Sequence, residues 1–187
     1  MKNMWLYNAL ILSFVVGFSL TGSGQNKIKW ISWEVVADRN QKLDKKYMVY
    51  ICYGGCRWCK QMEDSTFADT DIARFINNNF LPLRLSASSK NKIIINERVY
   101  ALKQHGSHEF NELAIELLNG NMTFPSIVFL DENFKKISSY NRFIEPHNFE
   151  MLLAYYAGNF YKNTIWKAFT RRYNRSKYFQ PALESQD

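Results

Sequence analysis

Cysteine is scarce in this chain, with three among 187 residues, and so is proline, with four. Three cysteines are too few for a disulfide-stapled mini-scaffold, and four prolines are too few for a low-complexity linker protein. Charge is thin as well. Asp, Glu, Lys and Arg make up 22% of the residues, and the net +7 is spread along the chain instead of gathered in one block. Apolar residues are plentiful, at 47% hydrophobic and 16% aromatic, so a sizeable core can be buried and wholesale disorder is excluded. The length suits one medium domain with extensions.

Lys2 is the only charge before Lys27, and the run from Ala9 to Leu20 is apolar. A basic start, a short apolar run and a small-residue exit at Thr21-Gly22-Ser23-Gly24 predict a secretory signal peptide over residues 1–24. The run falls short of the roughly 20 residues that span a bilayer comfortably. An uncleaved anchor is the alternative, and only then is membrane contact expected. No cysteine follows the run, so lipoprotein-type attachment is not available. The expected location is the periplasm or another exported compartment, where a cysteine pair can persist as a disulfide. Nucleic-acid partners are not expected there.

All three cysteines, Cys52, Cys56 and Cys59, fall within eight residues. A loop that small gives little chain-entropy stabilisation, so a structural staple explains them poorly. The surrounding pattern is informative. Tyr47 to Tyr53 is a continuous apolar and aromatic run of strand length, which predicts a buried central strand broken by Gly54-Gly55. From Cys56 the pattern turns helical through Met62 toward Thr66. Trp30 to Lys42 predicts a preceding helix, and a further helix follows Asp69, a good N-cap.

Phe80 to Leu85, Ser126 to Leu130 and Lys136 to Tyr140 read as strands, the last two joined by a turn at Asp131-Glu132-Asn133. Ile93–Ile95 and Val99–Leu102 suggest a hairpin. His108 to Leu118 predicts a helix stopped by Asn119-Gly120-Asn121. Pro146 opens a helix running to Ala157, Thr164 to Tyr173 adds another, and the polar tail after Arg175 is expected to be loose. The order predicts an α/β domain with a central mixed sheet flanked by helices, over residues 25–160, with a C-terminal helical extension over 161–187.

A Cys-x-x-Cys at the first turn of a helix has a specific chemical meaning. Cys56 faces the free N–H groups and positive dipole end of the helix, which favour the nucleophilic thiolate. Arg57 adds a fixed positive charge. Cys59, one turn on and more buried, is placed to resolve a mixed disulfide.

The segment from Lys46 to Phe80, carrying Gly-Gly-Cys-Arg-Trp-Cys-Lys-Gln-Met-Glu-Asp-Ser-Thr-Phe, resembles exported members of the thioredoxin-like family. Thr123-Phe124-Pro125-Ser126 with the apolar run to Asp131 resembles the family's cis-proline loop and strand. The stretch from Leu117 to Pro125 is also similar to thioredoxin-like proteins of the Bacteroidetes group. The resemblance implies a thioredoxin-like fold. It implies catalytic Cys56 and Cys59, a cis Pro125 against the pair, and a substrate surface of Phe124, Pro125, Arg57 and Trp58. Three departures stand out. Gly55 replaces the usual Trp before the first cysteine, Tyr50 replaces the buried Asp six positions before it, and Cys52 is an extra thiol best read as a small core residue.

Competing sites are weaker. Cys56, Cys59, His105 and His108 have zinc-ligand types, but the intervening stretch is far longer than in compact fingers. The Arg171-Arg172-Arg175-Lys177 cluster reads as a solvated face, with acidic partners or a membrane surface as the alternative. The expected function is thiol–disulfide exchange on exported proteins. Its partners are protein thiols or disulfides and a redox partner that recycles the pair, with no organic cofactor or metal. The alternative is a binding or assembly module on the same fold, with little redox activity.

Overall fold

The computed structural model describes residues 27–33, 36, 44–95 and 97–179. The expected signal peptide and most of the helix expected over Trp30–Lys42 lie outside them.

Four strands form the central sheet: β1 (Lys46–Cys52), β2 (Phe80–Ser86), β7 (Ser126–Leu130) and β8 (Lys136–Tyr140), in the order β2-β1-β7-β8. β1 runs parallel to β2 and antiparallel to β7, and β7 runs antiparallel to β8, so the sheet is mixed. Every residue of β1 is buried. Its alternate side chains serve opposite faces, which explains why the strand is apolar and aromatic from Tyr47 onward rather than alternating. Met48, Tyr50 and Cys52 enter one core, and Tyr47, Val49 and Ile51 enter the other.

The first core lies under α1 (Arg57–Asp64), α2 (Thr70–Asn79) and α4 (Pro146–Ala157). Asp69 caps α2 by accepting from the N–H groups of Asp71 and Ile72. The second core lies under α3 (Glu112–Leu117) and two small hairpins, β3 (Ile93–Ile95) with β4 (Arg98–Tyr100) and β5 (Leu102–His105) with β6 (His108–Asn111).

The second hairpin corrects the helix expected from His108. His105 pairs with His108 across Gly106-Ser107, and Gly106 has φ +62°, the left-handed conformation that a two-residue hairpin turn requires. The helix begins only after Asn111, whose buried side chain caps it by accepting from Leu113 N–H at 3.0 Å. Leu102, expected in the first hairpin, belongs to this second one.

The C-terminal region also differs from expectation. After α5 (Trp166–Arg172), a short helix α6 (Arg175–Tyr178) is followed by Phe179, which is 3% exposed and stacks on Phe75 at 4.3 Å between centroids. The Arg171-Arg172-Arg175-Lys177 cluster is exposed, as a solvated face should be, but Arg175 is also anchored. Its Nε donates to Glu150 at 2.8 Å and its other nitrogen to Asp71 at 2.9 Å. Tyr173 donates to the same buried Glu150 at 2.6 Å. Burying an aromatic ring and neutralising a buried carboxylate together fold what a polar composition suggests is loose.

Candidate active site

The end of β1 delivers the chain to the site. Tyr53 follows the strand, Gly54-Gly55 turn it, and Gly55 adopts φ +75°. A Cβ there would meet nothing within 4 Å, so the approach beside Cys56 is open where the resemblance leads one to expect a Trp. The turn closes with Cys56 N–H donating to the Tyr53 carbonyl at 3.2 Å. Cys56 is then the N-cap of α1. Its sulfur accepts from Cys59 N–H at 3.1 Å, and its carbonyl accepts the first helical bond, from Lys60.

Cys56 and Cys59 are joined as a disulfide with Cα atoms 5.2 Å apart. The two sulfurs differ in setting. Cys59 is 4% exposed and belongs to the core, whereas Cys56 is half-buried at the surface. The first turn of α1 holds no acidic residue, so the helix N-terminus and Arg57 act on Cys56 without an opposing charge.

The register between β1 and β7 sets Ser126 opposite Ile51, so the loop just before Ser126 comes alongside the end of β1. The Phe124–Pro125 peptide bond in that loop is cis. Phe124 is half-buried and packs against both cores. Trp58, 52% exposed, leans on Phe143 at 5.9 Å. The structure therefore gathers Cys56, Cys59, Phe124 and Pro125 at one end of the sheet, with Arg57 and Trp58 exposed on the same helix turn.

Sequence reasoning noted the Asp-to-Tyr change at Tyr50 but missed what replaces the acid. Tyr50 is fully buried, and its hydroxyl donates to the Cys59 carbonyl at 3.2 Å and to Glu63 Oε1 at 3.0 Å. Arg84, beside Tyr50 on β2, donates to the same Glu63 oxygen at 2.7 Å. A carboxylate thus enters from α1, one turn past the inner cysteine. The signal was present, because Cys59 and Glu63 are i and i+4 on one helical face. Burial, followed by the nearby Cys52 and Glu63, holds the Tyr50 phenol well above its ordinary range. Cys52 is buried on this same face, and burial pushes its thiol up against the opposing pull of Arg84.

The zinc-type set is not assembled. His105 Nε2 contacts the Gly120 carbonyl at 3.0 Å and His108 Nδ1 contacts Ser107 at 2.9 Å. Among the described residues no three His, Cys, Asp or Glu side chains come together as metal ligands. Among those residues, too, no helix is long and apolar enough to cross a membrane.

A mixed sheet flanked by helices, a disulfide-bonded Cys-x-x-Cys capping a helix and a cis X-Pro loop beside it define a protein of thioredoxin-like fold. The chain belongs to the family described as "Protein of unknown function, DUF255" (Thioredox_DsbH), whose model matches residues 17–151. Among solved structures it is similar to a thioredoxin-fold protein from Helicobacter pylori, with a TM-score of 0.54 and 17% identity over 80% of this chain and 93% of that one. A structure titled "DsbH Oxidoreductase" is also similar, at TM-score 0.43 and 18% identity, covering 62% of this chain and 74% of that one. Among curated proteins, spermatogenesis-associated protein 20 of Mus musculus is 33% identical over 57 residues. That match spans 30% of this chain and 7% of the mouse protein, so the chain covers a small part of that relative's length.

Proposed function

We propose that the protein is a thiol–disulfide oxidoreductase that acts on exported proteins through Cys56 and Cys59. The observation that carries this reading is the asymmetry of the pair, with an accessible sulfur capping a helix N-terminus and its partner buried in the core. In the reduced protein the Cys56 thiolate keeps the Cys59 N–H as a donor and the helix dipole as a counter-charge. It attacks one sulfur of a substrate disulfide, forming a mixed disulfide and releasing the first substrate thiolate. Cys59 then loses its proton and attacks the Cys56 sulfur. The Cys56–Cys59 bond forms and the second substrate thiolate leaves, so two electrons pass to the substrate. The same steps in reverse oxidise a dithiol. A redox partner of the thiol–disulfide class returns the pair to its starting state.

In this reading residues 1–24 are removed on export, residues 25–160 form the catalytic domain, and residues 161–187 extend it. Phe124 and Pro125 form the docking edge, with Arg57 and Trp58 on its other side. The test is capture. Cys59→Ser should accumulate protein partners in disulfide linkage to Cys56 under oxidising conditions, and Cys56→Ser should accumulate none. Equal yields from both variants, or none from either, would contradict the assignment. N-terminal sequencing of the exported protein should begin after Gly24.

A further inference from the structure

The β5–β6 hairpin packs with the second core, reaches the site through Tyr53 and Phe124, and has no part in the exchange steps above. Its turn and the loop before β7 border an open groove of about 350 Å³, which Tyr53, His105, His108, Phe110, Met122 and Phe124 line with Gly106, Gly120 and Ser107. The groove is contiguous with the site at two points. Tyr53 receives the Cys56 N–H, and Phe124 immediately precedes the cis-proline. Tyr53 and Phe124 lie nearly parallel, with centroids 5.5 Å apart and an interplanar angle of 16°, and Phe110 approaches them at 5.7 and 6.0 Å.

The groove is firmly built. Four residue pairs hold the hairpin, and the His105 ring bonds the Gly120 carbonyl, tying the turn to the loop that carries Met122 and Phe124. Gly120, at φ +77°, sits where a Cβ would approach the His105 ring at 3.4 Å.

We propose that this groove is a specificity subsite that takes a large apolar side chain, aromatic in preference to aliphatic, from the substrate segment flanking the reacting sulfur. The proposal rests on the exchange function above. The charge of the lining favours this occupant, because it contains no Asp, Glu, Lys or Arg, and an acidic or basic side chain would give up water without a carboxylate, ammonium or guanidinium to pair with. Aromatic rings offer faces and edges to another ring, and Met122 supplies an adaptable wall. The hairpin thus provides, on the far side of Tyr53, an aromatic surface that the Gly55 position does not.

The test uses the reduced full chain and paired disulfide peptides. The pairs differ only in Phe or Ser at the positions one and two residues either side of the reacting cysteine. Rates are read by acid quench and thiol trapping, with 2-hydroxyethyl disulfide as a probe that cannot reach the groove. The Phe peptides should react at least about tenfold faster than the Ser peptides, the selectivity that burial of one large apolar group supplies. Met122→Asp should bring that ratio to about one, and His108→Asp, at the exposed rim, should lower it partway. The ratio within each variant is insensitive to general damage to the fold.

Equal Phe and Ser rates, with 2-hydroxyethyl disulfide still reduced, would overturn the subsite and leave the exchange function standing. Failure to reduce any of the three would overturn both. Self-association that Met122→Asp abolishes, with no change in the peptide ratio, would assign the groove to a second copy of the chain and overturn the proposal.

Discussion

Replacing Tyr50 with Phe removes one oxygen and keeps the ring packed against Phe67 and Trp30, whose centroids lie 4.9 and 5.9 Å away. The lost hydroxyl donates to a carboxylate and to the Cys59 carbonyl, and hydrogen bonds to charged groups contribute about 1.5–3 kcal/mol. Glu63 is not stranded, because it keeps Arg84 at 2.7 Å and lines a cavity of about 310 Å³ that can admit water. The cost of Tyr50→Phe should therefore fall toward the lower end, at about 1–2 kcal/mol. Glu63→Gln weakens the same contact from the other side, so the two substitutions should be non-additive by about 1 kcal/mol. Urea unfolding of the oxidised protein, with all four proteins sharing one m-value, measures both quantities. Strict additivity, or a Tyr50→Phe protein as stable as the parent, would refute the claim that Tyr50 ties the inner cysteine's turn to Glu63.

Alkaline pH provides a second check. Burial raises the Tyr50, Tyr140 and Tyr173 phenols in the folded chain above the ordinary value near 10. The unfolded chain then loses those protons first, so stability is fully present below about pH 10 and declines as pH rises above it. Tyr50→Phe should reduce that slope by up to about 1.4 kcal/mol per pH unit, as read from urea midpoints between neutral and alkaline buffers. Toward the C-terminus, Phe179→Ala removes the ring stacked on Phe75 and should cost about 3 kcal/mol, the low end of the range for core aromatics because Phe179 is held by one short helix. An unchanged denaturation midpoint would mean that the C-terminal segment adds no stability.

The sheet was the most legible part of the sequence. The run from Tyr47 to Tyr53 reads as a buried central strand because both faces of β1 are covered, and Ser126–Leu130 and Lys136–Tyr140 fall on their strands residue for residue. Pro146 marks the start of α4 for the same local reason, its missing N–H being tolerable only at a first turn. The hairpin at Leu102–Asn111 is hidden in the sequence because Phe110, on β6, extends at helical spacing the buried face that Leu113, Ala114 and Leu117 form on α3. The Gly106-Ser107 turn and the Asn111 cap were the local signals for it.

Of the site, the cysteine pair and the proline loop were legible as motifs. The Tyr50–Glu63–Arg84 contact was not, because Arg84 comes from a neighbouring strand whose register is a tertiary fact. The folding of Arg175 to Phe179 depends in the same way on Glu150 and Asp71, which lie far away in sequence.

The most direct test of the account is equilibration of the full chain in graded glutathione buffers, with acid quench and thiol trapping of Cys56 and Cys59. A functional exchange pair predicts one reversible two-electron transition confined to those two cysteines. Its potential should lie between about −270 mV, typical of a reductant, and about −120 mV, typical of an oxidant, with Cys52 reduced throughout. A pair that never interconverts reversibly, or a transition that requires Cys52, would contradict the account and leave the fold as a docking module.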